Sequence, residues 1–329
     1  LTSPIGGFWR RFAAFGVDSL ILATIGQVIG FVCFDNLVRL GAAGRLVGFP
    51  IALAYFGILN SRIGGGQTLG KRLLKLRVVD REGTLIGLGR SALRYTILAL
   101  PIFLDWSLWP ISINPDGPTS FPSVALYIVL ALIVYGMGLS DLYLFIFNFR
   151  TRQTLHDLVA GTFVVRADAP VARIELTMWR PHLAIVATMA AIGVAGSVTK
   201  IYLDQSGSGS ARSPLRAIEQ NIASRPSVRS AAVEAVTHTV GASFPGEGAA
   251  QAAVTHLLDV SVVLGDCPDD PEKAADTFAD IALEISPDLV GNDEMAVRLR
   301  CEFDIGIATW RHKYLASHSR EEWRQRLVR

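Results

Sequence analysis

Five stretches of the chain are apolar and continuous enough to cross a membrane, near residues 12–34, 41–60, 92–110, 122–148 and 183–203. About 20 residues rising 1.5 Å each span a hydrocarbon core of ~30 Å. The third is interrupted by Pro101 and Asp105. The fourth is longer than a crossing needs, so it tilts or ends at the interface. The first follows Arg10 and Arg11 and lacks a small-x-small cleavage pattern, which sets it apart from a signal-peptide core.

After the fifth stretch the pattern changes. Ser206-Gly207-Ser208-Gly209-Ser210 reads as a flexible linker. Beyond it, residues 214–224 predict a helix, and 228–240 and 252–264 predict strands. Asp269-Asp270-Pro271-Glu272 opens a helix to about Ile285, with acids and proline in its first turn. Over 296–308, Val297, Leu299, Cys301, Phe303, Ile305 and Ile307 alternate with Arg298, Arg300, Glu302, Asp304 and Gly306. Period two with one charged face predicts a half-buried antiparallel strand. A charged helix from Ser319 to Arg329 ends the sequence, and no internal repeat is read. The fold class is therefore an α-helical transmembrane bundle of about five spans followed by a small soluble α+β domain with an antiparallel sheet. The divisions are 1–182 for four spans and basic loops, 183–204 for the fifth helix, 205–210 for the linker and 211–329 for the appended domain.

Composition agrees with a membrane chain, since charged residues make up only 18% against a usual quarter. Charge is unevenly divided: residues 1–204 carry 18 Lys/Arg against 11 Asp/Glu, and 205–329 carry 13 against 18. Fifteen of the cations lie in the N-terminal segment and in the stretches 61–94 and 150–180, whereas the two intervening loops offer Arg39 and Arg45. Cytoplasmic loops carry the Lys/Arg excess. The expected topology has a cytoplasmic N-terminus, and five crossings put the C-terminal domain outside the inner membrane.

Three local patterns together resemble the RDD family of bacterial membrane proteins. They are Gly7-Phe8-Trp9-Arg10-Arg11-Phe12-Ala13-Ala14-Phe15-Gly16-Val17-Asp18, then Gly66-Gln67-Thr68-Leu69-Gly70-Lys71-Arg72 running on to Val78-Val79-Asp80 and Gly83, and Gln153-Thr154-Leu155-His156-Asp157-Leu158-Val159-Ala160-Gly161-Thr162. The arginine and two aspartates of the family name map onto Arg11, Asp18 and Asp157, with Arg10 as the rival arginine. The resemblance covers roughly residues 5–167. It implies a membrane protein with a transport role, cation/proton exchange included.

Arg11 and Asp18 are seven positions apart, which places them on one helix face about 10 Å apart along the axis. An aspartate at that depth costs about 2.5–3.5 kcal/mol on insertion scales, so it needs protein or water around it. Asp141 in the fourth stretch counts to a similar depth, and two carboxylates at one depth can share a proton or bind a cation. The alternative is that Asp18 fixes helix packing. Arg11 and Asp157 both belong at the cytoplasmic edge, where an ion pair would tie the first span to the segment after the fourth. His156 titrates near neutral pH or serves as a hydrogen-bonding anchor. Gly26 and Gly30 form a GxxxG pair suited to a close helix contact.

Gly65-x4-Gly70-Lys71 is not a phosphate-binding loop, because Arg72 stands where the magnesium-binding hydroxyl belongs. Leu69 to Val79 reads instead as a basic amphipathic stretch on the anionic cytoplasmic leaflet. No metal-ligand spacing appears among the 3 Cys and 6 His, and no cofactor or enzymatic chemistry is implied. The acidic outer domain argues against nucleic acid. Cys267 and Cys301 lie in the domain expected outside, where disulfides persist, and Cys33 lies near the outer end of the first span. Cys267 and Cys301 form a bridge or remain two separate buried thiols. Two functions stay open. One is a transporter of a small solute or a cation/proton exchanger, as a homo-oligomer. The other is a non-catalytic accessory subunit of a larger membrane complex, with the outer domain making the contacts.

Overall fold

The computed structural model describes residues 4–104, 121–170, 173–206, 213–240, 253–285 and 294–327. Contacts divide the chain into two units. The first comprises Leu1–Phe31, Ala42–Ser208 and Asp304–Thr309, and the second Val32–Gly41, Gly209–Phe303 and Trp310–Arg329.

The apolar stretches are helices. α1 runs Phe8–Val32 and is followed by α2, Phe34–Leu40, a 3-10 turn at Gly41–Gly44, and α3, Arg45–Leu59. Phe34–Leu59 as a whole is apolar enough to cross a membrane, so the second stretch begins earlier than 41. Its polar opening, Asp35, Asn36 and Arg39, reads as a loop in sequence, but Leu37 and Val38 bury on one face of a helix there. Short α4 (Leu69–Leu73) and strand β1 (Leu76–Val79) lead to α5 (Leu88–Leu104). α6 (Phe121–Ala131), a π-helical segment at Leu132–Met137 and α7 (Gly138–Phe147) continue one another. Short α8 (Leu155–Ala160) and strand β2 (Phe163–Arg166) precede α9 (Pro181–Ser206).

Among the described residues three helices have the length and hydropathy of a crossing: Phe8–Val32, Phe34–Leu59 and Ala125–Phe147. Pro181–Gly196 is a shorter apolar helix. The third expected stretch is described only as far as Leu104, so Asp105 and the end of that stretch lie outside the described residues.

Leu69–Val79 is not one amphipathic segment. It breaks at Lys75 (φ 53°) into α4 and β1, whose Leu76, Val78 and Val79 are buried. β1 pairs antiparallel with β2, in the register Arg77↔Val165, Val78↔Val164, Val79↔Phe163. Pairing satisfies these backbone groups within the chain.

An internal repeat emerges here that the sequence reading lacks. Gln67-Thr68-Leu69 and Gln153-Thr154-Leu155 each open a short helix from an extended threonine, with ψ of 170° at Thr68 and 178° at Thr154. Each is preceded by a left-handed residue, Gly66 (φ 74°) or Arg152 (φ 52°). A second left-handed residue ends each helix, Lys75 (φ 53°) or Gly161 (φ 62°). The glutamine amide then donates across the turn, from Gln67 Nε2 to the Leu76 carbonyl at 2.6 Å and from Gln153 Nε2 to the Thr162 carbonyl at 2.9 Å. Backbone bonds match as well: Arg72 N–H to Thr68 O is 2.8 Å, and Leu158 N–H to Thr154 O is 3.0 Å. Val78 and Val164 hold equivalent places and pair with each other, so a local two-fold axis passes between them.

In the second unit α10 (Ser213–Ala223) precedes strands β3 (Val228–Val240) and β4 (Ala253–Leu264). α11 (Pro271–Ile285), β5 (Glu294–Asp304), β6 (Thr309–Ser319) and α12 (Arg320–Leu327) follow. The sheet order is β3-β4-β5-β6, with β3 antiparallel to β4. β5 runs parallel to β4, which corrects the antiparallel expectation for that pair. α11 lies between these strands and supplies the crossover that a parallel pair needs. β5 ends at Asp304 and the chain turns through 305–308 into β6, a strand that Arg311, His312 and Lys313 hid from the pattern reading. The alternation itself holds: Val297, Leu299, Cys301 and Phe303 are buried, and their charged neighbours are not. Ile218, Ile222, Val260, Phe278 and Trp323 complete a core between the sheet and its helices, and the Trp323 indole donates to the Met295 carbonyl at 2.8 Å.

Candidate functional site

The three residues of the family-like pattern are all buried, and Asp18 and Asp157 have no solvent exposure. A carboxylate so placed must have its oxygens met by donors. For Asp18 the donors come from two other elements. Tyr55 Oη of α3 donates to Oδ1 at 2.7 Å, Gly70 N–H of α4 donates to Oδ1 at 2.8 Å, and Thr68 Oγ1 donates to Oδ2 at 2.6 Å. Gly70 is required there, because a Cβ at that position would stand 2.2 Å from the Ala14 carbonyl. Asp18 thus ties α1 to α3 and to the first Gln-Thr-Leu motif.

Asp157 is the third residue of α8 and ties that short helix to α1 and α5. Arg11 Nη2 of α1 donates to Oδ2 at 2.8 Å, and Arg94 Nη2 of α5 donates to Oδ1 at 2.7 Å. Thr162 Oγ1 adds a bond at 3.0 Å. Burial raises the Asp157 carboxyl, but Arg94, His156 and Arg11 more than offset this and hold it well below the usual carboxylate range. Arg11 also donates to the Arg152 carbonyl. Arg90, one turn from Arg94, donates to the carbonyls of Ala160 and Gly161 at 2.9 and 3.0 Å. Those carbonyls lie at the C-terminal end of α8, where a cation is favoured.

Asp141, from α7, reaches the other end of α8. Its Oδ1 accepts from Leu155 N–H at 2.8 Å, and its Oδ2 lies 3.1 Å from His156 Nδ1. His156 Nε2 in turn lies 3.1 Å from Arg94 Nη2. Arg11, Asp157, His156 and Asp141 are therefore brought together. Asp18 belongs to a neighbouring knot with its own donors, and its carboxylate is not bonded to Asp141.

Arg94, Tyr55, Thr68 and Lys71 join these two knots without having been expected there from the sequence. Arg94 carried a signal, since it lies one helical turn after Arg90 at the basic edge of an apolar stretch. Tyr55 carried none. Lys71 Nζ lies 3.4 Å from Thr68 Oγ1 and 5.8 Å from the centre of the Phe56 ring. Burial lowers its amine first and Arg94 lowers it further, while Asp18 and Asp157 pull the other way. The outcome is an amine pushed down to about 7.

Cys301 is buried in the core of the second unit, Cys267 packs against that core, and both are free thiols. Burial pushes both thiols up. Among the described residues no group of three His, Cys, Asp or Glu side chains converges as a metal-ligand set.

Residues 5–161 match the model of the RDD family. "Uncharacterized protein YxaI" of Bacillus subtilis (strain 168) is 27% identical over 110 residues, covering 27% of this chain and 72% of that protein. No solved structure matches the chain.

Proposed function

Because residues 5–161 form an RDD family domain, we propose that the chain is a bacterial inner-membrane protein that moves a small solute or exchanges cations for protons, without covalent catalysis. The observation that supports this most is the duplicated Gln-Thr-Leu motif. Secondary transporters are commonly built from internal repeats of several helices, and the repeat here is a shorter one, a single helix, turn and strand. In this chain the copies meet at the β1–β2 pair. Lys71 and Asp157 lie on the short helices that lead into it, and Asp18 of α1 and Arg94 of α5 bond to those motifs.

In this reading the five apolar stretches all cross, and the Lys/Arg excess sets both copies on the cytoplasmic side. The sheet unit then lies outside, and the chain works as a homo-oligomer. Anionic lipid headgroups would meet the basic loops.

A second reading, a non-catalytic accessory subunit, draws on a different observation. The oxygens of Asp18 and Asp157 are filled by protein donors, as in a fixed frame, and the second unit has a hydrophobic core of its own, as a separately folded domain does.

The test is proton movement in sealed vesicles carrying purified full-length protein. Transport predicts that a pulse of Na+ or K+ displaces protons, read by a trapped pH dye, and that empty vesicles stay silent. No movement with either cation would remove the exchange reading. A stoichiometric membrane protein in a native purification would then support the accessory one.

A further inference from the structure

Lys71 and Asp157 occupy equivalent places in the two copies of the motif, the third residue of α4 and the third residue of α8. Asp157 is met by two arginines. Lys71 is met differently: among the described residues its Nζ lies within ion-pair distance of no carboxylate and reaches Thr68 Oγ1 at 3.4 Å. The residue as a whole is partly exposed, while its amine lies deep enough for burial to act on it first.

We propose that Lys71 is a reversible proton-binding site at the seam between the two copies. Arg11 and Asp18 face it from α1, Arg94 from α5 and Asp157 from α8, with Tyr55 and Phe56 on α3. With both carboxylates ionised, the two arginines and two aspartates cancel. A charged Lys71 then leaves one net positive charge among these groups, and a neutral one leaves none. Deprotonation moves one proton from the ammonium to water, and the freed lone pair can accept the Thr68 hydroxyl. The Thr68 hydroxyl now donates to Asp18, so protonation at Lys71 decides how that aspartate is held. The lowered amine described above agrees with this arrangement. Lys71 would be the proton-carrying group of the transport reading and rests on that reading for its role, though not for its chemistry.

The test is competitive acetylation of the full chain in lipid nanodiscs between pH 5 and 10, with Lys71 modification quantified by peptide mass spectrometry. A reactivity midpoint within about one unit of 7 is expected. A midpoint above about 9 would overturn the proposal. In vesicles, Lys71→Arg, which keeps the charge but cannot release it, is expected to cut cation-driven proton movement at least about tenfold. Lys71→His, which titrates near neutrality, is expected to restore part of it. Unchanged movement in Lys71→Arg would sink the proposal. A Lys71 that titrates near 7 in a chain with no cation-driven flux would leave the site standing and remove the transport reading.

Discussion

Lys75 holds, at φ 53°, the same turn that Gly161 holds at φ 62°, each ending the short helix of its motif and starting the strand that pairs with the other copy. The left-handed region is open to glycine and costs other residues about 1 kcal/mol. Lys75→Gly is therefore expected to stabilise the full chain in detergent by up to about 1 kcal/mol, and Gly161→Lys to destabilise it by at least as much. A Cβ at Gly161 also comes within 3.2 Å of Arg90 Nη2. Thermal unfolding of both variants checks the pair. Shifts of equal sign would contradict the equivalence of the two turns.

The hydrophobic pattern revealed the apolar helices, the period-two strand and the break into a second unit, because each is a local property of consecutive residues. It did not reveal the duplication. Gln, Thr and Leu repeat, as do the paired valines, but Gly70 answers to His156 and Lys71 to Asp157, so charge and size differ where the two knots differ. What the copies share is backbone conformation, at Gly66 and Arg152 and again at Lys75 and Gly161. The parallel sense of β5 is likewise set by the α11 crossover rather than by its own alternation. Of the site, Arg11 and Asp157 were legible as a pair because both fall in Lys/Arg-rich sequence next to an apolar stretch. Arg94 completes Asp157 from a distant helix and left only a weak trace.

Asp157 should govern acid stability. Its depressed folded pKa contributes stability that is complete above the ordinary carboxylate value of about 3.9 and is lost as pH falls below it toward the folded value. Wild-type unfolding temperature should hold from pH 7 to about 5 and drop below 4. Asp157→Asn leaves Arg11 and Arg94 buried without their shared anion, an expected loss of about 3–5 kcal/mol at pH 7. The variant should also lack the steep acid dependence. A variant within about 1 kcal/mol of wild type would contradict the role assigned to this carboxylate.

Asp18→Asn should reduce stability before it changes any activity. An amide nitrogen presents a donor where the hydroxyls of Tyr55 and Thr68 and the N–H of Gly70 also point. The expected cost is about 1–3 kcal/mol for an unmet buried group. Chemical unfolding of the detergent-solubilised chain measures it, and a variant as stable as wild type would show that Asp18 is not a packing anchor.

Cys267 and Cys301 are expected to be bonded in protein recovered from an oxidising compartment without reductant. Closure takes two electrons from the pair by thiol-disulfide exchange with an oxidised partner protein, and the raised pKa of both thiols slows that step. The closed loop of about 35 residues adds roughly 3–4 kcal/mol in the chain-entropy model. Mass spectrometry of the intact chain decides the matter. Two free thiols in such protein would contradict both the bridge and the external placement of the sheet unit.

Two copies of one motif meet about a local two-fold axis between Val78 and Val164. Val78 gives its N–H to the Gly66 carbonyl at 2.8 Å, and Val164 accepts the Gly6 N–H at 2.8 Å, so neither bond joins the two valines. Such pairs in an antiparallel ladder bring Cα atoms to about 4.5 Å, within disulfide reach. The direct measurement is oxidative cross-linking in native membranes of a Val78→Cys/Val164→Cys chain beside a Val79→Cys/Val165→Cys chain, with the linked peptides identified by mass spectrometry. A link is expected at 78–164 and little at 79–165, because Val79 pairs with Phe163 and Val165 with Arg77. A link at 79–165 with none at 78–164 would contradict it.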